Sequence, residues 1–118
     1  MYSKGFHLNQ QPVNESKEFS SRILSYGPGL LVMEWHFFKK GAVTPMHSHY
    51  HEQITYVVKG STEVELADGS KEVYKAGESI YFAPNEGHAL VTMEDDTVCI
   101  DSFNPVRLDH LERHKIKE

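Results

Sequence analysis

The chain is poor in sulfur: it has one cysteine, Cys99, in 118 residues. No internal disulfide is possible, and the apolar run Val98-Cys99-Ile100 points to a buried thiol rather than a nucleophile. Long apolar stretches are missing too, the longest being of the kind Leu30-Leu31-Val32-Met33 and Ile80-Tyr81-Phe82-Ala83. That excludes a transmembrane helix, and no membrane partner is expected. Basic residues are outnumbered, 12 against 17 acidic, for a net charge of -5. Such a surface opposes phosphate neutralisation, so nucleic acid is not an expected partner. The opening Met1-Tyr2-Ser3-Lys4-Gly5-Phe6-His7 lacks the apolar stretch and cleavage pattern of a secretory leader, and cytoplasmic residence is expected.

Repeats, low-complexity stretches and interdomain linkers are also absent, which suits one domain over residues 1–118. With 39% apolar and 25% charged residues, a chain of this length buries roughly two-thirds of its unfolded surface. No helix is visible before Pro105. Instead Gly27-Pro28-Gly29, Gly41, Gly60, Asp68-Gly69, Gly77 and Asn85-Glu86-Gly87 punctuate short runs of Val, Ile, Tyr, Phe and Thr, as in a β-sandwich or barrel. Asp68-Gly69 between the alternating runs 62–66 and 71–75 predicts a tight hairpin. Met33, Trp35 and Phe37 share one strand face and point inward, while Glu34 and His36 share the other, where His36 is a surface or subunit-interface residue. The segment from Val106 to Glu118 reads as a short docked helix or a tail, with His110 and His114 one turn apart and solvated.

What the chain has in excess is histidine: eight residues, three of them within five positions. His47 and His49 lie on one strand face, about 7 Å apart along the chain. His51 and Gln53 have the same parity, but a turn at Tyr50-His51-Glu52 would leave either Glu52 or Gln53 to supply an oxygen. A histidine-rich turn on a surface binds nothing, so the pair alone decides little.

The spacing decides more. Gly41, five residues, His47, one residue, His49, three residues, Gln53, six residues and Gly60 resemble the first motif of the cupin superfamily. His88, eleven residues after Gly77, resembles the histidine of the second motif. Gln53 stands where the family most often has Glu, Ala83 precedes Pro84 at the usual proline position, Asn85 replaces a glycine and Thr92 an asparagine. The resemblance implies an all-β fold, a single small antiparallel β-barrel or jelly roll, with its core at about 19–104, an N-terminal arm over 1–18 and a C-terminal tail over 105–118. It also implies one divalent metal ion held by His47, His49, Gln53 and His88, with one or two positions open. Such a neutral N3O set accepts Zn, Ni, Mn, Fe or Co and leaves the ion its full charge as a Lewis acid.

The strand Thr97 to Phe103 puts Cys99, Asp101 and Phe103 on one face. Asp101 is either an acid or base facing the metal or a charge paired with a lysine or with Arg107. Beyond Pro105, Arg107 has the reach to fold over the barrel mouth, and its planar fork suits a carboxylate. Asp101-x-Phe103-x-Pro105-x-Arg107, with His47-Ser48-His49-x-His51-Glu52-Gln53-Ile54-Thr55-Tyr56-Val57-Val58, is similar to the pectin-degradation cupins. That resemblance implies catalytic roles for Asp101, Phe103 and Arg107, a small anionic sugar as partner, and opening of 4,5-unsaturated uronates to the linear 5-keto uronate. A quercetinase-like or thiol dioxygenase is the rival enzyme, and a ligand-binding module the rival without chemistry. Tyr56 and Tyr81 read as core tyrosines, and a homodimer is expected, pairing through first strands that carry Phe19, Ile23 and Tyr26.

Overall fold

Alternation of side chains about the strand axis decides this architecture, which we describe from a computed structural model covering residues 17–114 and the backbone of 6–7 and 13–14. Eleven strands and one short helix follow in order among the described residues. They are β1 (Phe6–His7), β2 (Val13–Asn14), β3 (Phe19–Tyr26), β4 (Leu31–Phe37), β5 (Val43–His47), β6 (Glu52–Lys59), β7 (Ser61–Leu66), β8 (Lys71–Lys75), β9 (Ser79–Phe82), β10 (His88–Thr92), β11 (Thr97–Asn104) and α1 (Leu108–Arg113). A seven-stranded sheet runs β1-β3-β4-β11-β6-β9 with β2 on β3, and a four-stranded sheet runs β5-β10-β7-β8. Every pairing is antiparallel, as the all-β reading requires.

The hairpin falls where Asp68-Gly69 puts it. Glu63 pairs with Val73 and Glu65 with Lys71, Gly69 takes φ 88°, and the Asp68 carboxylate accepts from the Ser70 N–H at 2.8 Å. Gly60, at φ 83°, turns the chain from one sheet to the other. A Cβ there would come within 2.9 Å of the Thr97 Cα, so neither the turn nor the space admits another residue.

Two apolar clusters form the core, one of Ile23, Tyr26, Leu31, Met33 and Phe103 of the seven-stranded sheet with Leu111 of α1, the other of Phe37, Ala42, Val57 and Cys99. Trp35 touches both, and its indole stacks on Phe37 with centroids 6.3 Å apart. Each large side chain so buried stabilises the fold by about 1.5–3 kcal/mol. Cys99 is the buried thiol expected, its pKa pushed up to about 12 by desolvation and then by Asp101. On the outer face of β4, Glu34 pairs with Arg22 at 3.0 Å and His36 with Asp96 at 2.9 Å.

Three expectations fail. Ile23 and Tyr26 are buried in the core because β3 turns those side chains inward, and β3 is flanked by β4 on one side and by β1 and β2 on the other, so it offers no open edge of its own for pairing with a second copy. Tyr56 and Tyr81 are not core residues: they are 43% and 51% exposed on the outer face of β6 and β9. His110 and His114 are buried rather than solvated, since helical spacing puts them beside Leu111 on the face that docks against the sheet. Ser21 Oγ donates to His114 Nε2 at 2.8 Å, and His114 Nδ1 donates to the His110 carbonyl, also at 2.8 Å. Desolvation first, then Arg107, pushes the His110 pKa down to about 3. No described helix is long and apolar enough to cross a membrane.

Candidate metal centre and its cavity

His47 ends β5, His88 begins β10, and the two are register partners in the four-stranded sheet. His49 lies past the end of β5 rather than on one strand face with His47, and the loop between β5 and β6 brings it beside the other two, so that ring centroids are 4.4 Å apart for His47 and His88, 5.2 Å for His49 and His88, and 5.6 Å for His47 and His49. The candidate ligand nitrogens of all three lie within 4.8 Å of one another.

Each ring is oriented the same way. Nδ1 donates to a backbone carbonyl: His47 to Pro45 at 2.9 Å, His49 to His51 at 3.1 Å, and His88 to Glu86 at 2.9 Å. A neutral imidazole with its proton on Nδ1 presents a bare lone pair at Nε2, the form in which histidine binds metals. Burial favours that neutral form, pushing His88 down to about 4 and His49 below its ordinary value, the latter helped by the Arg107 charge. Phe82 stacks on His88 at 4.1 Å and fixes its plane.

Gln53 offers a fourth candidate donor. Its amide Nε2 donates to Thr55 Oγ1 at 2.9 Å, which turns Oε1 toward His49 Nε2, also at 2.9 Å. A neutral His49 has one N–H and cannot give it to both the His51 carbonyl and Gln53. With the proton on Nδ1, as in the other two rings, two lone pairs face each other, and a bound cation is what reconciles them. His88 Nε2 makes the same demand, being buried with no hydrogen-bond partner among the described residues. The donor set thus fits a divalent ion, three imidazole nitrogens and one amide oxygen. Glu52, the other candidate, points outward and accepts from Tyr81 at 2.6 Å and Asn104 at 3.1 Å.

The side of the cluster facing the seven-stranded sheet opens into a cavity of about 370 Å³. Asp101 lines it from the middle of β11, Phe103 from two residues on, and Arg107 from the turn that follows. Neither a lysine nor Arg107 pairs with Asp101 among the described residues; Thr55 Oγ1 donates to its Oδ1 at 2.6 Å. A continuous relay therefore runs from the Gln53 amide through the Thr55 hydroxyl to the Asp101 carboxylate. Desolvation pushes the Asp101 pKa up to about 6, against the opposing pull of Thr55, of the Trp35 and Gln53 donors and of Arg107. The Trp35 N–H faces this carboxylate without closing a hydrogen bond of good geometry.

Arg107 lies over the Phe103 ring, 4.8 Å from guanidinium carbon to centroid. Its Nε and Nη2 donate to the two carboxylate oxygens of Asp109 at 2.9 and 2.7 Å. Phe103 thus carries Arg107 on one face and meets His49 edge-on at 5.8 Å. Thr55 and Asp109 went unread in the sequence. The parity of Thr55 with Gln53 on one strand could have revealed the first, whereas the i, i+2 spacing of Arg107 and Asp109 is too common to signal a pair.

The cupin domain family matches residues 34–102, more than half the chain and the whole span from His47 to His88. The chain is a cupin. Among curated relatives, this cupin is 38% identical over 91 residues to the pectin degradation protein KdgF of Dickeya dadantii, covering 76% of this chain and 81% of that protein. Among solved structures it superposes on KdgF from Halomonas with a TM-score of 0.84 at 32% identity, over 92% of this chain and 100% of that one. An RmlC-like cupin from Shewanella frigidimarina gives 0.81 at 29% identity, over 92% and 96%. Oxalate decarboxylase of Bacillus subtilis shares the fold alone, at 0.73 and 19% identity over 28% of its length.

Proposed function

We propose that this cupin opens the ring of 4,5-unsaturated uronate monosaccharides, released from pectin or alginate, to give the linear 5-keto uronate. The observation that carries the reading is a buried carboxylate, Asp101, joined by a hydrogen-bond relay to the candidate metal ligand Gln53 in a cavity with a guanidinium at its wall. Kinship with two proteins named for pectin degradation or as KdgF supports the substrate class.

The reaction is an isomerisation. A proton leaves the anomeric hydroxyl, the C1–O5 bond breaks as C1 becomes an aldehyde, and the enolate oxygen so formed becomes a ketone as C4 takes up a proton. Atoms and electrons balance without an oxidant, so the site needs a proton carrier and charge stabilisation. Asp101, with a pKa drawn toward neutrality, takes the hydroxyl proton and returns it to carbon. Arg107 receives the substrate carboxylate, and Phe103 supports the guanidinium from below. A divalent ion held by His47, His49, Gln53 and His88, whether Zn, Ni, Mn, Fe or Co, supplies Lewis-acid stabilisation of oxygen charge.

A purely ligand-binding module has no use for a proton carrier, and an ion-paired Asp101 would have favoured that alternative. The neutral Thr55 partner favours the enzyme. The test is loss of the conjugated ultraviolet absorbance of a 4,5-unsaturated galacturonate with metal-loaded protein, set against buffer because the sugar opens spontaneously. Acceleration over buffer is expected, and Asp101→Asn should abolish it while metal content stays at the wild-type level. No acceleration with metal bound would overturn the proposal, and oxygen consumption would then point to a dioxygenase.

A further inference from the structure

An arginine that grips a ligand carboxylate has two usable edges, the side edge of Nε with Nη2 and the end edge of Nη1 with Nη2. In Arg107 the side edge is taken by both oxygens of Asp109, and the guanidinium makes no other hydrogen bond among the described residues. Its flat face rests on Phe103, and its side chain is only 12% exposed, against 50% for Asp109. Asp109 sits in the first turn of α1, and that helix is anchored to the sheet by buried Leu111 and by the His114–Ser21 hydrogen bond. The carboxylate is therefore carried by a helix tied to the sheet.

We propose that Asp109 is a positioning residue for substrate binding: by holding the side edge of Arg107, it presents the end edge to the carboxylate of an anionic sugar in the cavity. The inference rests on the uronate reading above and adds to it the residue that sets carboxylate specificity. A free arginine loses rotamer freedom when it closes on a ligand, whereas one already clamped on two sides has lost it beforehand. Asp109 also cancels the arginine charge, so the grip favours a carboxylate by directed hydrogen bonds rather than drawing in every anion.

The test measures binding of D-galacturonate and of neutral D-galactose to the metal-loaded full chain by calorimetry, for wild type, Asp109→Ala and Asp109→Asn. Galacturonate affinity should fall about tenfold in Asp109→Ala and less in Asp109→Asn, which keeps one acceptor oxygen, while galactose binding stays constant. In turnover, KM should rise by the same factor as the lost affinity, with a smaller change in kcat. Unchanged or tighter galacturonate binding in Asp109→Ala would overturn the proposal, because Asp109 would then be competing with the ligand. An equal loss for galactose would also overturn it by marking a general structural defect, as would a wild-type protein with no preference for galacturonate. If wild type prefers galacturonate and the Asp109 effect appears, yet no ring opening is accelerated, the proposed reaction fails and the positioning role stands.

Discussion

The described residues hold two clusters of histidines, one around buried His88 at the cavity and one under the short helix, and they are built in opposite ways. In the first, His47, His49 and His88 give Nδ1–H to backbone carbonyls and turn Nε2 into a common space. In the second, His114 spends both ring nitrogens, one on the His110 carbonyl and one on Ser21, and His110 meets Trp35 edge-on at 5.8 Å and Arg113 at 3.3 Å. Burial makes the rings of both groups neutral where it acts most strongly, at His88 and His110. The difference is what remains unsatisfied. A lone pair with nothing to accept from is a demand for a ligand, and a ring with both nitrogens used is a clamp.

The sharpest separation of the two groups is a pair of variants. His88→Ala should lose metal affinity by a hundredfold or more and turnover with it, whereas His114→Phe should keep one metal per chain, as read by metal analysis after dialysis. Retained metal in the first or lost metal in the second would erase the distinction. Thr55→Val tests whether the relay extends the first group to Asp101. It should lower turnover about tenfold at constant metal content, and no loss would reduce Thr55 to a packing residue. For the second group, His114→Phe strands the Ser21 hydroxyl and should cost about 1–3 kcal/mol in a denaturant melt.

The last effect is on pH. His110 is held neutral in the fold, its pKa about 3 against an ordinary 6.5, so between those values the unfolded chain binds a proton that the folded chain does not. Stability therefore falls as pH drops from 6.5 toward 3. In the metal-free protein His88 adds a slope of the same sign, down to about pH 4. His110→Phe should flatten its share of that slope in melts taken from pH 7 to pH 4, and an unaltered slope would show that His110 is not the group responsible.

His47 and His49 were legible from the two-residue repeat of a strand, whereas His88, far along the chain, was joined to them only by resemblance to the second cupin motif. Gln53 could not be separated from Glu52 by parity alone, since the turn at Tyr50-His51 breaks the count; pairing of β6 with β9 and β11 then puts Gln53 inside and Glu52 outside. Strand β6 also inverts the usual rule, burying Gln53 and Thr55 while leaving Ile54 and Tyr56 at 48% and 43% exposure. A reading that sends apolar residues inward therefore misplaces Tyr56 and misses Thr55. The second group was misread for a related reason: a charged segment with few large apolar residues looks solvated, yet one buried leucine and two buried imidazoles suffice to dock a helix of six residues.

By itself the sequence determined the strands, the hairpin at Asp68-Gly69, the histidines that could meet and the kinship of the whole. The strands and the hairpin follow from local rules, periodicity and turn chemistry, which need only neighbours along the chain, whereas the histidine set and the kinship rest on the resemblance of its motifs to those of cupins. Only the tertiary structure decided which nitrogen of each ring is bare, that Asp101 answers to Thr55 rather than to a cation, and that Arg107 is already held by Asp109. Those are matters of hydrogen-bond satisfaction among groups brought together from distant strands, and burial, which has no meaning until the sheets close, sets their charge.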